Sequence, residues 1–216
     1  MNQTLKAGIL LATLAIPVFI WLFLKNFGQN QFNLPVYYEE EVPSIRGCND
    51  TVTPHQVQFF TDNAELNSRA DEGLSDKVKV AYMLPEICDN ECQLVLEQLA
   101  NLQTTFSDRN DFQIVVFAPN QHFDDVQISE IKKRYLANPQ TWKIVLTPAD
   151  DFNNLFKCEF FLSEADFSQT LVLTDASAMI RGYYQGFDPD EIDRLKGELK
   201  ILFYMQETAD HVKSSK

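Results

Sequence analysis

The sequence has little positive charge. Its 216 residues include 18 Lys and Arg against 31 Asp and Glu, which gives a formal net charge of −13. Proteins that bind nucleic acid neutralise backbone phosphates with clustered Lys and Arg, and this sequence carries no such cluster. The composition therefore excludes nucleic acid as the partner, and the acidity mainly favours solubility.

Histidine is scarce as well, and the chain has no internal repeat. The three histidines are His55, His122 and His211. We expect His55 and His122 in solvated or hydrogen-bonded loops and His211 in a frayed tail, so none is assigned as a metal ligand. The acidic clusters lack the spacing of a calcium-binding loop, and they are interpreted as helix caps and solvated faces.

Only one long run lacks charge altogether. Residues 7–24 contain no charged side chain and are flanked by Lys6 and Lys25. At about 1.5 Å per residue, a helix of this length nearly crosses a bilayer. The run ends in large apolar residues, with no small-residue cleavage site and no nearby cysteine for lipid attachment. The pattern predicts an uncleaved transmembrane anchor, preceded by a cytoplasmic tail at residues 1–6.

The charge pattern around this anchor specifies its orientation only weakly. A very short tail followed by a large domain favours placing the domain outside the cell membrane, on the periplasmic side. Cysteines there meet an oxidising environment. Residues 25–50 are predicted to form a stalk, residues 51–206 the folded domain and residues 207–216 a flexible tail.

Hydrophobic periodicity predicts an α/β domain. Apolar strands alternate with amphipathic helical patterns, and the last two strands are separated by a short turn that indicates a hairpin. This chain order predicts a thioredoxin-like fold with a central mixed sheet flanked by helices. Strands are predicted at residues 78–84, 112–118, 142–146, 170–174 and 179–184, and helices at 90–106, 119–135, 150–156 and from 189 onward.

The last helix has a clear start signal. Asp188 can cap it, Pro189 suits its first position, and Glu191 completes a capping-box pattern. The apolar stripe that follows is expected to pack on the sheet.

Cys88 and Cys92 carry the strongest chemical signal. They follow the first core strand, and their four-residue spacing at a helix start puts both sulfurs on one face, with Cys88 outer and Cys92 inner. Helix N-terminal N–H groups favour a thiolate at Cys88, whereas Asp89 and Glu91 oppose it. The pair suits disulfide exchange or binding of Cu(I), a soft ion that accepts few ligands. The alternative is a purely structural disulfide or two inert core thiols.

The remaining cysteines are Cys48, just before the fold, and Cys158, at the end of a short helix. An even cysteine number outside the cytoplasm allows a second bridge between them, but each can equally be unpaired. Spacing alone does not decide between the three complete pairings of four cysteines. A bridge between Cys48 and Cys158 would leave Cys88 and Cys92 free to react together.

Features beyond the cysteine pair point to a known family. They are the segments 34–38, 142–146, 171–175 and 180–184, together with Asp188, Pro189, Glu191, Asp193, Arg194 and Leu195. With its C-x3-C motif, nearly the whole chain resembles the SCO/SenC family of membrane-anchored thioredoxin-fold proteins. The resemblance implies delivery of copper to the binuclear copper site of cytochrome c oxidase, or reduction of that site's cysteines, by two cysteines and one histidine.

The sequence departs from this family at the histidine. Phe167 stands nearest to the expected ligand position, and no histidine occurs there. Pro85, Glu86 and Ile87 also replace the usual residues before the first cysteine. Losing the imidazole weakens a Cu(II) site more than a two-thiolate Cu(I) site, and it leaves thiol exchange possible.

The resulting hypothesis is an accessory factor of respiratory oxidase assembly that exchanges a disulfide or transfers Cu(I) through Cys88 and Cys92. It is a thiol–disulfide oxidoreductase in the first case and a metallochaperone, not an enzyme, in the second. Its expected partners are the membrane, a copper-containing oxidase subunit or a thiol–disulfide partner, and its only expected cofactor is copper. The alternative is a degenerate family member that serves as a binding or scaffolding module.

Overall fold

The chain divides into two compact units, Met1–Asn33 and Leu34–Lys216. In the first unit, residues 13 and 15–22 are helical. Across the described parts of the chain, no helix is both long enough and apolar enough to cross a membrane. Half of the predicted anchor at 7–24 lies outside the described residues, and the anchor stays a prediction. The computed structural model describes residues 13, 15–22, 34–48, 53–59 and 76–214, with side chains of the last helix described to residue 208.

Strands and helices of the second unit follow the predicted order. The strands are β1 (Val78–Met83), β2 (Phe112–Pro119), β3 (Trp142–Thr147), β4 (Thr170–Thr174) and β5 (Ile180–Gln185). The helices are α1 (Asn90–Thr105), α2 (Asp125–Arg134), α3 (Ala149–Asn154) and α4 (Pro189–Ser214), and a π-helical turn at Leu155–Glu159 follows α3.

The five strands form one mixed sheet in the order β3-β2-β1-β4-β5. Strands β1, β2 and β3 are parallel, whereas β4 runs antiparallel to β1 and β5 antiparallel to β4. Every residue of β1 and β2 is buried, because helices or loops cover both faces of the sheet centre. This is the thioredoxin-like architecture that the sequence predicts.

Alternate residues of β1 define the two faces of the sheet, since successive strand side chains point to opposite sides. On what we call the first face, Val80 and Tyr82 belong to one buried cluster with Leu96 of α1 and Leu195 of α4. On the second face, the cluster comprises Ala81, Met83, Val57, Phe59, Val115, Phe117, Phe152, Leu155, Phe156, Phe160, Leu162, Val172 and Ile180.

Part of the predicted stalk packs on the domain. The Tyr37 N–H donates to the Ile180 carbonyl at 2.9 Å, and Arg181 donates to the Leu34 carbonyl at 3.0 Å. Residues 34–48 therefore belong to the second unit, because their backbone groups find partners at the start of β5. The sequence does not reveal this packing, because the contacts join residues nearly 150 positions apart. Residues 25–33 and 49–50 of the predicted stalk lie outside the described residues.

The end of the chain also differs from the prediction. Helix α4 continues to Ser214, so most of the predicted flexible tail at 207–216 is helical. Residues 215–216 lie outside the described part of the chain. At the start of α4, Asp188 accepts from the Asp190 N–H at 2.9 Å and caps the helix as expected. The Glu191 carboxylate accepts from the Arg194 guanidinium, so it serves as an ion-pair partner.

Candidate functional site

Cys88 lies just beyond the carboxyl end of the central strand β1. The Leu84 N–H donates to the Phe117 carbonyl, which fixes the chain as it leaves the sheet. A short turn then leads to Cys88, and α1 begins at Asn90. Cys88 and Cys92 form a disulfide with their Cα atoms 5.1 Å apart. The structure thus brings the two predicted site residues together at the start of α1.

The two sulfurs differ in their access to solvent. Cys92 is 1% exposed and belongs to the buried cluster of the first face. Cys88 is only partly buried and packs against the edge of that cluster. Ile87 beside it is 82% exposed. Cys88 is therefore the more exposed cysteine of the pair, in agreement with the predicted outer and inner positions.

Asp89 caps the helix on which the pair stands. Its side chain accepts a hydrogen bond from the Cys92 N–H at 3.0 Å. An N-cap carboxylate satisfies one of the four N–H groups that a helix start leaves unpaired. This N–H group is consequently not available to stabilise a thiolate on Cys88, and the Asp89 charge also disfavours that thiolate.

Two side-chain contacts connect the motif to neighbouring loops. His122, in the loop after β2, lies 3.2 Å from the Glu86 carboxylate. Gln169, just before β4, donates to the Glu91 carboxylate at 2.7 Å. The sequence analysis missed both contacts. The topology contains the signal, because the end of β2 and the start of antiparallel β4 meet the end of β1 at one edge of the sheet.

The sequence matches no family model and no curated protein. Among solved structures, a SCO1/SenC family lipoprotein from Bacillus anthracis is similar with a TM-score of 0.52 and 19% identity, over 61% of this chain and 84% of that chain. The fold is SCO/SenC-like. Copper-bound yeast Sco1 has a TM-score of 0.46 and 15% identity, over 60% and 80% of the two chains. Copper-bound Arabidopsis thaliana ScoI has a TM-score of 0.48 and 15% identity, over 62% and 89%.

At 19% identity, the similarity to the Bacillus anthracis structure shows a shared fold and nothing more. The position where the family resemblance implies a copper-binding histidine is Phe167. Its ring stacks on Phe156 at 4.9 Å and meets Phe152 edge-on at 6.1 Å, both in the cluster of the second face. The cysteine pair belongs to the first face. The ring of Phe167 therefore lies across the sheet from Cys88 and Cys92.

Tyr82 fastens the loop around Phe167 to the sheet. Its hydroxyl donates to the Ser168 carbonyl at 2.8 Å. Burial, and secondarily the charge of Asp89, raise the pKa of Tyr82 far above its usual value. The hydroxyl therefore stays protonated and holds this loop against the first face at all ordinary pH values.

His55 stands apart from the cysteine pair, in a loop on the second face. His55 is buried, and its Nε2 lies 2.8 Å from the Glu159 carbonyl, which makes it a hydrogen-bonded loop histidine as expected. Burial raises the pKa of the neighbouring Glu159 carboxyl. The side chain of His211 lies outside the described residues. Among the side chains that are described, no group of three or more His, Cys, Asp or Glu residues could hold a metal ion.

Cys48 and Cys158 form the second disulfide, with their Cα atoms 5.4 Å apart. This confirms one of the pairings that the sequence left open. The bridge joins the segment before the fold to the π-helical turn after α3. All four cysteines are thus paired, and neither Cys48 nor Cys158 is a free thiol that could exchange with the motif pair.

Proposed function

We propose that this chain is a divergent member of the SCO/SenC family that assists respiratory oxidase assembly by thiol–disulfide exchange through Cys88 and Cys92. The observation that carries the proposal is the disulfide at the end of the central strand, with Cys88 partly exposed and Cys92 buried. An asymmetric pair at a helix start is the arrangement that exchange chemistry requires.

The exchange proceeds through a mixed disulfide. A partner thiolate attacks the sulfur of Cys88, the bond between Cys88 and Cys92 breaks, and Cys92 leaves as a thiolate that takes up a proton. A second thiolate of the partner then attacks the partner's own sulfur in the mixed disulfide and releases Cys88. Two electrons pass from the partner dithiol to this chain, and the partner gains a disulfide. The reverse reaction uses the same steps.

Transfer of Cu(I) is a second proposed activity of the same pair. Once reduced, Cys88 and Cys92 offer two thiolates within reach of one point, and soft thiolates suit Cu(I) as cargo. The donor set does not fit a three-ligand Cu(II) site, because Phe167, which stands nearest to the expected histidine position, has no donor atom and packs on the second face. Exchange is therefore the primary proposal, and copper transfer requires a reduced pair.

We also propose that residues 7–24 anchor the chain in the cell membrane with the domain on the periplasmic side. Two features support this placement. The run of residues 7–24 is long and uncharged. Two disulfides in one domain are typical of an oxidising compartment.

The experiment that tests exchange is a redox titration of the full chain in detergent micelles. The variant C48S/C158S retains only the motif pair and simplifies the readout, which is mass-tagging of free thiols after equilibration with glutathione buffers. We expect Cys88 and Cys92 to be half-reduced at a potential less negative than about −300 mV, the level below which structural disulfides resist glutathione. A pair that stays oxidised throughout would favour the scaffold function and end the exchange proposal.

A copper titration of the reduced chain separates the two proposed activities. Cu(I) transfer predicts one Cu(I) per chain and loss of binding in the Cys88→Ser variant. A chain that exchanges disulfides but binds no Cu(I) keeps the first activity and loses the second. Cu(II) is expected to bind weakly, because no group of three or more His, Cys, Asp or Glu side chains among the described residues could hold the ion.

A further inference from the structure

A polar pocket of about 390 Å³ opens at the end of the sheet opposite to Cys88. It lies at the amino ends of β1, β2 and β3, and residues from all three strand starts line it. None of the described residues that line it has a carboxylate side chain, although the whole chain carries a net charge of −13. Three of the lining residues are the cations Lys77, Arg109 and Lys143.

Gln113 carries an unpaired donor in this pocket. The residue is fully buried, and its Nε2 has no hydrogen-bond partner in the part of the chain that the structure describes. Its Oε1 accepts from the Lys77 ammonium at 3.4 Å. This contact fixes the orientation of the amide, because a flipped amide would turn its N–H groups toward the ammonium. A buried donor without an acceptor costs about 1–3 kcal/mol, so the site favours a molecule that brings an acceptor oxygen.

The lysines flank this amide on the same face of the sheet. Strand register pairs Lys79 with Gln113 and Val115 with Lys143. Since side chains two residues apart share a face, Lys77, Gln113 and Lys143 all project to the second face. Arg109 adds little net charge to the pocket, because its guanidinium donates to Asp111 and Glu207. The ammonium of Lys77, which contacts the Gln113 amide, therefore supplies positive charge next to this amide.

We propose that this pocket binds a small oxyanion, a phosphate or a carboxylate. An anion oxygen accepts from Gln113 Nε2, and Lys77 supplies the opposite charge. The lining favours a small polar ligand, since its described residues, apart from Pro139, have hydrogen-bonding or cationic side chains. The pocket lies at the end of the sheet opposite to the cysteine pair, so this proposal is tested independently of the exchange proposal.

The test is a titration of the ¹⁵N-labelled full chain with sodium phosphate and, separately, sodium succinate, at constant ionic strength. The readout is the side-chain amide resonance of Gln113, assigned by its loss in Gln113→Leu. We expect a saturable shift of that resonance with at least one anion, and the anion that saturates identifies the ligand class. Lys77→Gln should weaken binding about tenfold, the loss expected for one charged hydrogen-bonding partner.

Lys132→Gln is the matched control, because Lys132 is an exposed lysine in the last turn of α2, which follows the other end of β2. Its binding should equal that of the unmodified chain. Absence of any saturable shift would mean that a water molecule satisfies Gln113, and the proposal would be wrong. The same conclusion follows if Lys132→Gln weakens binding as much as Lys77→Gln, since the effect would then be general surface charge.

Discussion

Asp89 determines how strongly the start of α1 can activate Cys88. An unoccupied helix N-terminus lowers the pKa of a nearby thiol, because its free N–H groups stabilise the thiolate. Here the Asp89 carboxylate takes the Cys92 N–H at 3.0 Å and places a negative charge next to Cys88. Both effects disfavour the thiolate form of Cys88. We therefore expect the oxidised pair to react with a partner thiolate more readily than the reduced pair attacks a partner disulfide.

Two substitutions separate these effects. Asp89→Asn keeps an N-cap acceptor and removes the charge, whereas Asp89→Ala removes both and costs α1 about 1 kcal/mol. We expect the pKa of the Cys88 thiol in the reduced chain to fall in Asp89→Asn and to fall further in Asp89→Ala. The measurement is the rate of iodoacetamide alkylation against pH, with urea denaturation for stability.

The matched control is Asp124→Ala, which removes the N-cap of α2 and its capping box. It should lose a similar amount of stability and leave the alkylation profile of Cys88 unchanged. Profiles that coincide for the unmodified chain and both Asp89 variants would show that the cap does not tune the thiol.

Lys79 predicts a pH dependence of stability. It is 3% exposed, and burial lowers its pKa to about 8 from 10.5. Between these two values the unfolded chain holds the proton and the folded chain does not, so stability rises with pH through this window. Relative to Lys79→Met, the unmodified chain should gain about 2 kcal/mol between pH 7 and pH 10.

The measurement for Lys79 is urea denaturation at several pH values, with all disulfides kept intact. Lys132→Met changes an exposed lysine. Its free energy of unfolding should differ from that of the unmodified chain by the same amount at every pH. If the stability difference between Lys79→Met and the unmodified chain does not change with pH, Lys79 stays protonated in the folded state and the burial argument is wrong.

At the scale of elements, the sequence predicted the features that depend on neighbouring residues. The buried runs that became β1 and β2 and the Asp188 cap of α4 are all readable from neighbouring residues. The docking of residues 34–48 could not be predicted in this way. The acidic and polar composition of that segment is typical of a linker, and its partners lie near residue 180. Helix α4 also extends through residues 207–214, where polar composition indicated a tail.

Two glycines, Gly186 directly after β5 and Gly197 within α4, allow a paired test of how an added methyl group changes stability. A Cβ added at Gly186 would lie 2.9 Å from Val95 Cγ1 and 3.1 Å from Leu171 Cγ, both in the buried first face. Gly186→Ala should therefore destabilise the fold by about 1–3 kcal/mol through overpacking. At Gly197, within α4, a Cβ would meet nothing within 4 Å. Gly197→Ala should stabilise the fold by about 0.5–1 kcal/mol, since alanine favours a helix.

Urea denaturation of the two alanine variants measures both effects. In a Val95→Ala background the Gly186→Ala substitution should cost less than in the unmodified chain, because the shorter side chain leaves room for the new methyl group. Equal costs in the two backgrounds would show that the contact between β5 and α1 adjusts without strain.

At the scale of the whole molecule, the sequence located the candidate site but not its surroundings. The position of Cys88 and Cys92 between a buried strand and a helix is visible in the local pattern. The contact of His122 with Glu86 and the turning of Phe167 to the second face depend on how distant loops meet. The same holds for the bridge between Cys48 and Cys158, which joins residues 110 positions apart.

The two disulfides are expected to have separate roles. In the chain-entropy model, a bridge across 110 residues stabilises the fold by about 5 kcal/mol, whereas one across four residues contributes about 2 kcal/mol. C48S/C158S should therefore lose several kcal/mol of stability while the redox potential of Cys88 and Cys92 stays unchanged. C88S/C92S should lose less stability. The measurements are urea denaturation and the glutathione titration. A shifted potential in C48S/C158S would show that the long-range bridge holds the motif in its reactive geometry, and the separation of roles would be wrong.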